Sequence, residues 1–254
     1  MPKHAAHGRF VWHELAVPNP DAVQSFYTAL TPWKTQLWDQ SPDYTLLTNE
    51  GTPLGGIARL TDDLAALGVQ PHWLPYVSVY DVDACARQAV SLGGQLRMGP
   101  REVPNIGAWA VVADPQGAIL GIYEPATAPP PEGPARVGDF SWHELTTSDF
   151  KAATEFYRAM FRWEQVSDYD MGEMGVYRMF GQSGETYGGM FNRTSTMPPP
   201  NWLSYVRVGD VKSLVGKVAQ MGGTVLNGPM EVPGGDWIAQ CLDPQGAAFA
   251  LHTK

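Results

Sequence analysis

Apolar and polar residues alternate from Arg9 to Val17, the period of a half-buried strand. Asn19-Pro20 follows, a side-chain cap with proline at the first helical position. Val23, Phe26, Tyr27 and Leu30 then recur at helical spacing, and strand-like runs come near 33–38, 43–49 and 54–60, broken by Gly51 and Gly55-Gly56. A further strand at 73–79 leads to Asp81, which caps a helix running to Leu92; Gly93-Gly94 ends it. Strands near 95–103, 107–113 and 118–124 complete the pattern, so βαβββ occurs twice in residues 9–124. Residues 139–253 repeat it, with Asp149 and Asp210 in the cap positions. The simplest parse is an α+β chain of four βαβββ modules.

The repeat is also literal. Phe10-Val11-Trp12-His13-Glu14-Leu15 returns as Phe140-Ser141-Trp142-His143-Glu144-Leu145, and Phe26-Tyr27 as Phe156-Tyr157. Trp73-Leu74 matches Trp202-Leu203, Gly93-Gly94 matches Gly222-Gly223, and Gly99-Pro100 matches Gly228-Pro229. Asp114-Pro115-Gln116-Gly117 matches Asp243-Pro244-Gln245-Gly246. Order and spacing together predict two homologous tandem domains, 1–124 and 135–254. The proline-dense stretch 125–134 between them reads as a semi-rigid linker.

Composition narrows the function classes. The 254 residues carry 17 Lys and Arg against 26 Asp and Glu, for a net charge of -9, with no basic cluster to neutralise phosphates; nucleic acid is not an expected partner. Two cysteines, Cys85 and Cys241, exclude a disulfide scaffold, and neither has a neighbour that would activate a thiol. No apolar run reaches membrane-spanning length, and Met1-Pro2-Lys3-His4 leads into no secretory segment, so a cytoplasmic protein without membrane contact is expected. Because each domain holds its own pair of modules, a monomer or weak homodimer is expected.

The Trp-x-Glu-Leu openings, the Asn or Asp caps, the Phe-Tyr pairs, Gly-Gly and Asp-Pro-Gln-Gly resemble the vicinal oxygen chelate superfamily, the group of glyoxalases, bleomycin resistance proteins and extradiol dioxygenases. The resemblance covers about residues 8–253 and is similar to its tandem-domain glyoxalase or hydroxylase subgroup. It implies that each pair of modules forms a curled mixed sheet around a cleft. In metal-dependent members it also implies His seven residues before the cap and Glu seven residues after the Asp of the Asp-Pro-x-Gly turn. Those positions hold Trp12, Trp142, Leu74, Leu203, Gly121 and Ala250 here, none of which ligates a divalent metal. No cofactor is therefore expected. Any Fe, Mn, Ni or Zn would sit outside the usual positions.

His13, His72 and Glu124 have the composition of a facial triad, yet strand parity sets His13 with Leu15 and Val17 on the helix-packed face. The same parity gives the cleft face Trp12, Glu14, His72, Tyr76 and Tyr123 in the first domain. In the second it gives Trp142, Glu144, Tyr205, Arg207 and His252. Aromatic walls with few polar groups suit a small organic ligand. Glu14 and Glu144 are the candidate catalytic groups, since a carboxylate among aromatics must be paired or protonated. His72 or Tyr76 could partner Glu14, and Arg207 or His252 could partner Glu144. Phe26-Tyr27 and Phe156-Tyr157 read as core, the glycine pairs as places of tight strand approach, and Asp-Pro-Gln-Gly as hairpin turns.

The expected function is binding of a small molecule in aromatic clefts without a metal at the usual positions, as a metal-free enzyme or a sequestering protein. The alternative is a metal-dependent lyase, isomerase, hydroxylase or dioxygenase. The second alternative is a structural protein with collapsed clefts.

Overall fold

The computed structural model describes residues 6–129 and 133–254. Residues 1–5, on which the expectation of a leaderless N-terminus rests, and 130–132 of the expected linker lie outside the described residues. The first half of the chain runs β1 (Phe10–Val17), α1 (Pro20–Leu30), β2 (Lys34–Trp38), β3 (Ser41–Asn49), β4 (Thr52–Arg59), α2 (Asp62–Ala66), β5 (His72–Ser78), α3 (Val82–Ser91), β6 (Gln95–Val103), β7 (Gly107–Ala113) and β8 (Ile119–Pro125). The second half runs β9 (Phe140–Thr147), α4 (Phe150–Phe161), β10 (Glu164–Asp170), β11 (Val176–Gln182), β12 (Glu185–Asn192), β13 (Asn201–Arg207), α5 (Val211–Gln220), β14 (Thr224–Glu231), β15 (Trp237–Leu242) and β16 (Ala248–Thr253).

The expected modules are all present. Asn19 accepts the Ala22 N–H and Pro20 opens α1, while Asp81, Asp149 and Asp210 cap α3, α4 and α5. Val23, Phe26, Tyr27 and Leu30 are the buried stripe of α1. In each module the first strand pairs parallel with the last, as in β1 with β4 and β13 with β16. The short helix α2 lies in the connection that the sequence pattern left without an element.

The expected curl is corrected by the strand order. One eight-stranded sheet runs β2-β3-β4-β1-β5-β8-β7-β6 and the other β10-β11-β12-β9-β13-β16-β15-β14, so both are open. The end strands explain this. β6 carries Arg97, Pro100, Arg101 and Glu102, β14 carries Pro229 and Glu231, and β10 carries Glu164, Asp168 and Asp170. Proline and charge are what keep an edge strand from accepting another partner.

The compact units cut across the tandem order. Among the described residues, one comprises 6–11, 75–129, 133 and 142–202, and the other 12–74, 134–141 and 203–254. Each has its own core. In the first, Val77, Ala89 and Leu120 join Tyr157, Phe161 and Trp163; in the second, Leu15, Phe26 and Ile57 join Val206, Val211 and Phe249. Burying each large side chain contributes about 1.5–3 kcal/mol.

Within each unit the Phe-Tyr and Asp-Pro-Gln-Gly motifs meet. Trp73 Nε1 donates to the Tyr27 hydroxyl (2.8 Å), which donates to Asp243 (3.0 Å). In the other unit, Trp202 Nε1 donates to Tyr157 (3.1 Å) and Tyr157 to Asp114 (3.0 Å). Gln245 closes a two-way bond with the Asn19 backbone, accepting its N–H and donating to its carbonyl, and Gln116 does the same with Asp149. The Asp-Pro-Gln-Gly turns thus tie distant modules together. No described helix is long and apolar enough to cross a membrane.

Candidate functional site

Trp12 and Glu14 alternate with buried His13, Leu15 and Val17 along β1, so the two faces separate as parity requires. Glu14 is in register with Gly56 on β4, and His13 with Gly55. A Cβ at Gly55 would strike the His13 carbonyl, so only glycine allows this strand approach. A Cβ at Gly56 would fall inside the ring of Tyr44, which lies over that glycine from β3. Trp12 Nε1 donates to the Tyr44 hydroxyl (3.0 Å), and Tyr44 is hydrogen-bonded to Glu14. An indole nitrogen only donates and a carboxylate only accepts, so the bonds run Trp12 to Tyr44 to Glu14 when the acid is ionised. Burial pushes the half-buried Glu14 carboxyl above its ordinary value, and the Tyr44 bond pulls partly against that.

The second copy builds the same chain from the same parts. Trp142 Nε1 donates to Tyr177 (2.8 Å), which donates to Glu144 (3.1 Å). Gly188 clears the His143 carbonyl and Gly189 makes room for the Tyr177 ring. Burial, followed by the Glu144 charge, holds the Tyr177 phenol well above its usual range. Neither tyrosine was among the sequence candidates. The signal was spacing: each stands twelve residues before the second glycine of its pair.

The other expected residues are placed as follows. Tyr76 is buried, with its ring over Gly121. Tyr205 is buried and accepts from Gln240 (2.9 Å). Tyr123 donates to the Ile106 carbonyl, and His72 Nδ1 lies 2.7 Å from the Gln70 carbonyl. Arg207 donates to the Ala135 carbonyl (2.7 Å), and His252 lies between Ser141 and Asp236. Tyr44, which was not among the expected partners, is bonded to Glu14. Tyr177 is a partner of Glu144.

The donor set does not fit the divalent metal that the family resemblance implies. At the expected ligand positions stand two indoles, two leucines, a glycine and an alanine, and the Tyr76 ring fills the space over Gly121. His13 and His143 lie on the opposite face, stacked at 3.6 Å on Phe140 and Phe10 respectively. Complete burial lowers the His143 pKa to about 3. Glu124 accepts the Val82 N–H at the start of α3. Among the described residues no three His, Cys, Asp or Glu side chains converge on one point.

Residues 139–251 match the family described as the glyoxalase/bleomycin resistance protein/dioxygenase superfamily. The mycobacterial protein CFP32 of Mycobacterium tuberculosis, provisionally named a glyoxylase, is 28% identical over 259 residues, 99% of this chain and 97% of the relative. The anthracycline biosynthesis protein DauV of Streptomyces sp. is 28% identical over 260 residues, 97% and 93% of the two chains. Among solved structures, the Mn(II)-bound glyoxalase of Novosphingobium aromaticivorans superposes with a TM-score of 0.68 at 14% identity, over 98% of this chain and 82% of that one. The motifs of the matched half recur in order in the other half, so both halves are similar to the glyoxalase/bleomycin resistance protein/dioxygenase superfamily.

Proposed function

We propose that the protein binds a small organic molecule against the aromatic faces around Glu14 and Glu144, and that these carboxylates exchange a proton with it. The observation that carries this reading is the Trp–Tyr–Glu chain, built twice over paired glycines. In each chain the indole N–H and phenol O–H point inward to the acid. A carboxylate so held, with its proton affinity raised by burial as at Glu14, is suited to accept or return a proton. Trp12, Trp142, Tyr44 and Tyr177 orient the acids and supply apolar contact. A relative named for anthracycline biosynthesis is in keeping with a small organic ligand.

Taken by name, the manganese-bound structural neighbour speaks more directly for a second reading, a metal-dependent lyase, isomerase or oxygenase. The ligand positions of this chain speak against it. One experiment separates the two: titration of tryptophan fluorescence with a panel of small phenols, aromatic acids and amines, on tag-free protein whose metal content has been measured. Saturable quenching without metal, weakened in Tyr177→Phe or Tyr44→Phe, supports the first reading. About one Mn, Fe, Ni or Zn per chain, lost in Glu14→Ala or Glu144→Ala and needed for quenching, establishes the second.

A further inference from the structure

His252, near the end of β16, is held between a hydroxyl and a carboxylate. Ser141 Oγ lies 2.8 Å from Nδ1, and Asp236 Oδ2 lies 3.0 Å from Nε2. Asp236 is set by a tight turn. The Val232 N–H donates to the Asp236 carbonyl and the Gly235 N–H to the Val232 carbonyl, with Gly234 and Gly235 at φ of 106° and 91°. An ionised carboxylate only accepts, so Nε2 carries the ring proton. Nδ1 is then the bare nitrogen, and the Ser141 hydroxyl donates to it at 2.8 Å in preference to the Tyr205 carbonyl, a longer second acceptor at 3.4 Å. Hydroxyl, imidazole base and orienting carboxylate are the parts of an activated nucleophile, here with the two ring nitrogens exchanged relative to the serine protease arrangement.

Two observations separate this cluster from a device that merely holds the fold. The relays that tie the modules, Trp73–Tyr27–Asp243 and Trp202–Tyr157–Asp114, occur in both copies. The Ser–His–Asp set occurs in one, because Val11, Tyr123 and Gly107 stand at the matching positions of the first copy. The cluster is also open to solvent, with 15% of the His252 side chain and 29% of Asp236 exposed and Ser141 half-buried.

We propose that Ser141, His252 and Asp236 form a nucleophilic site that accepts an acyl group from an activated ester. Ser141 Oγ bonds to the carbonyl carbon as its proton passes to His252 Nδ1. The ester C–O bond breaks and the leaving alkoxide takes that proton. Water then attacks the acyl-serine with the same base, releasing a carboxylic acid and restoring the serine, with no change of oxidation state.

A fluorophosphonate probe, followed by mass spectrometry of the labelled peptide, tests the site on the full chain. The expected result is a single adduct on Ser141, absent in Ser141→Ala and formed at least about tenfold more slowly in His252→Gln and Asp236→Asn. Release of p-nitrophenol from p-nitrophenyl acetate should fall in the same order. Asp236→Asn, at a turn, keeps the test available if His252→Gln does not fold. No adduct on Ser141, or one that forms as fast in folded Asp236→Asn as in the parent, overturns the proposal.

Discussion

The ring of Tyr177 occupies the space that any side chain at Gly189 would need. A methyl group at that position must push the ring off the strand, and with it the hydroxyl that joins Trp142 to Glu144. Gly189→Ala should therefore cost about 1–3 kcal/mol, the usual range for overpacking a fitted contact. It should also weaken ligand quenching of fluorescence. Tyr177→Phe, which keeps the ring and removes only the hydroxyl, should reproduce the binding loss at a smaller stability cost. Urea denaturation of both variants checks the first point; an unchanged midpoint in Gly189→Ala would mean the ring is not seated there.

The buried Tyr27 hydroxyl gives a second prediction. It accepts from Trp73 and donates to Asp243, whose carboxylate also takes the N–H groups of Gln245 and Ala247. Tyr27→Phe leaves an indole donor unpaired and removes one of the carboxylate's partners in a dry interior, at a cost of about 1–3 kcal/mol. Tyr157→Phe should cost the same through Trp202 and Asp114. The double variant should lose close to the sum, because the relays sit in separate cores. Thermal melts of the three variants measure this, and a silent Tyr27→Phe would refute it.

What the sequence reveals and conceals follows from range. The caps at Asn19, Asp81, Asp149 and Asp210 and the stripe of α1 are local, and a single pass along the chain finds them. The separation of Glu14 from His13 is equally local, because strand parity alone decides it. Tyr44 is different: its role depends on a glycine on the next strand, and Tyr in a strand is otherwise unremarked. The openness of the sheets was hidden as well, since closure is a property of edges rather than of any one strand. Tyr27 reads as core from its spacing, and it is core; its bond to Asp243, 216 residues away, has no local trace.

His143 should make the protein acid-sensitive. Complete burial lowers its pKa from 6.5 to about 3, so the native state stays neutral while the unfolded chain takes up a proton. The stabilising contribution is fully present above pH 6.5 and is lost as pH falls toward 3. It is worth of order a few kcal/mol across that window. His7, lowered to about 4 by burial and then by Arg162, acts in the same direction. His143→Phe, which keeps a ring against Phe10, should flatten part of the loss seen by urea denaturation between pH 7 and 4. Parallel curves for parent and variant would assign the acid sensitivity elsewhere.

Glu14 should act with the opposite sign. Burial raises its pKa above the ordinary 4.5, so the folded protein holds this proton more tightly than the unfolded chain does. Its contribution is complete below about pH 4.5 and is lost as pH rises through the folded value. Glu14→Gln keeps the shape and an acceptor for Tyr44 but has no charge to desolvate. The stability of the parent relative to this variant should decline as pH rises from 4.5, until ionisation in the native state is complete. The same ionisation is what makes Glu14 a proton acceptor in the proposed function, so ligand quenching attributable to the first copy should change over the same interval. Denaturant unfolding and fluorescence titration at matched pH values test both together. A pH-independent stability difference would show that Glu14 titrates normally and would remove it as the proton-transfer group.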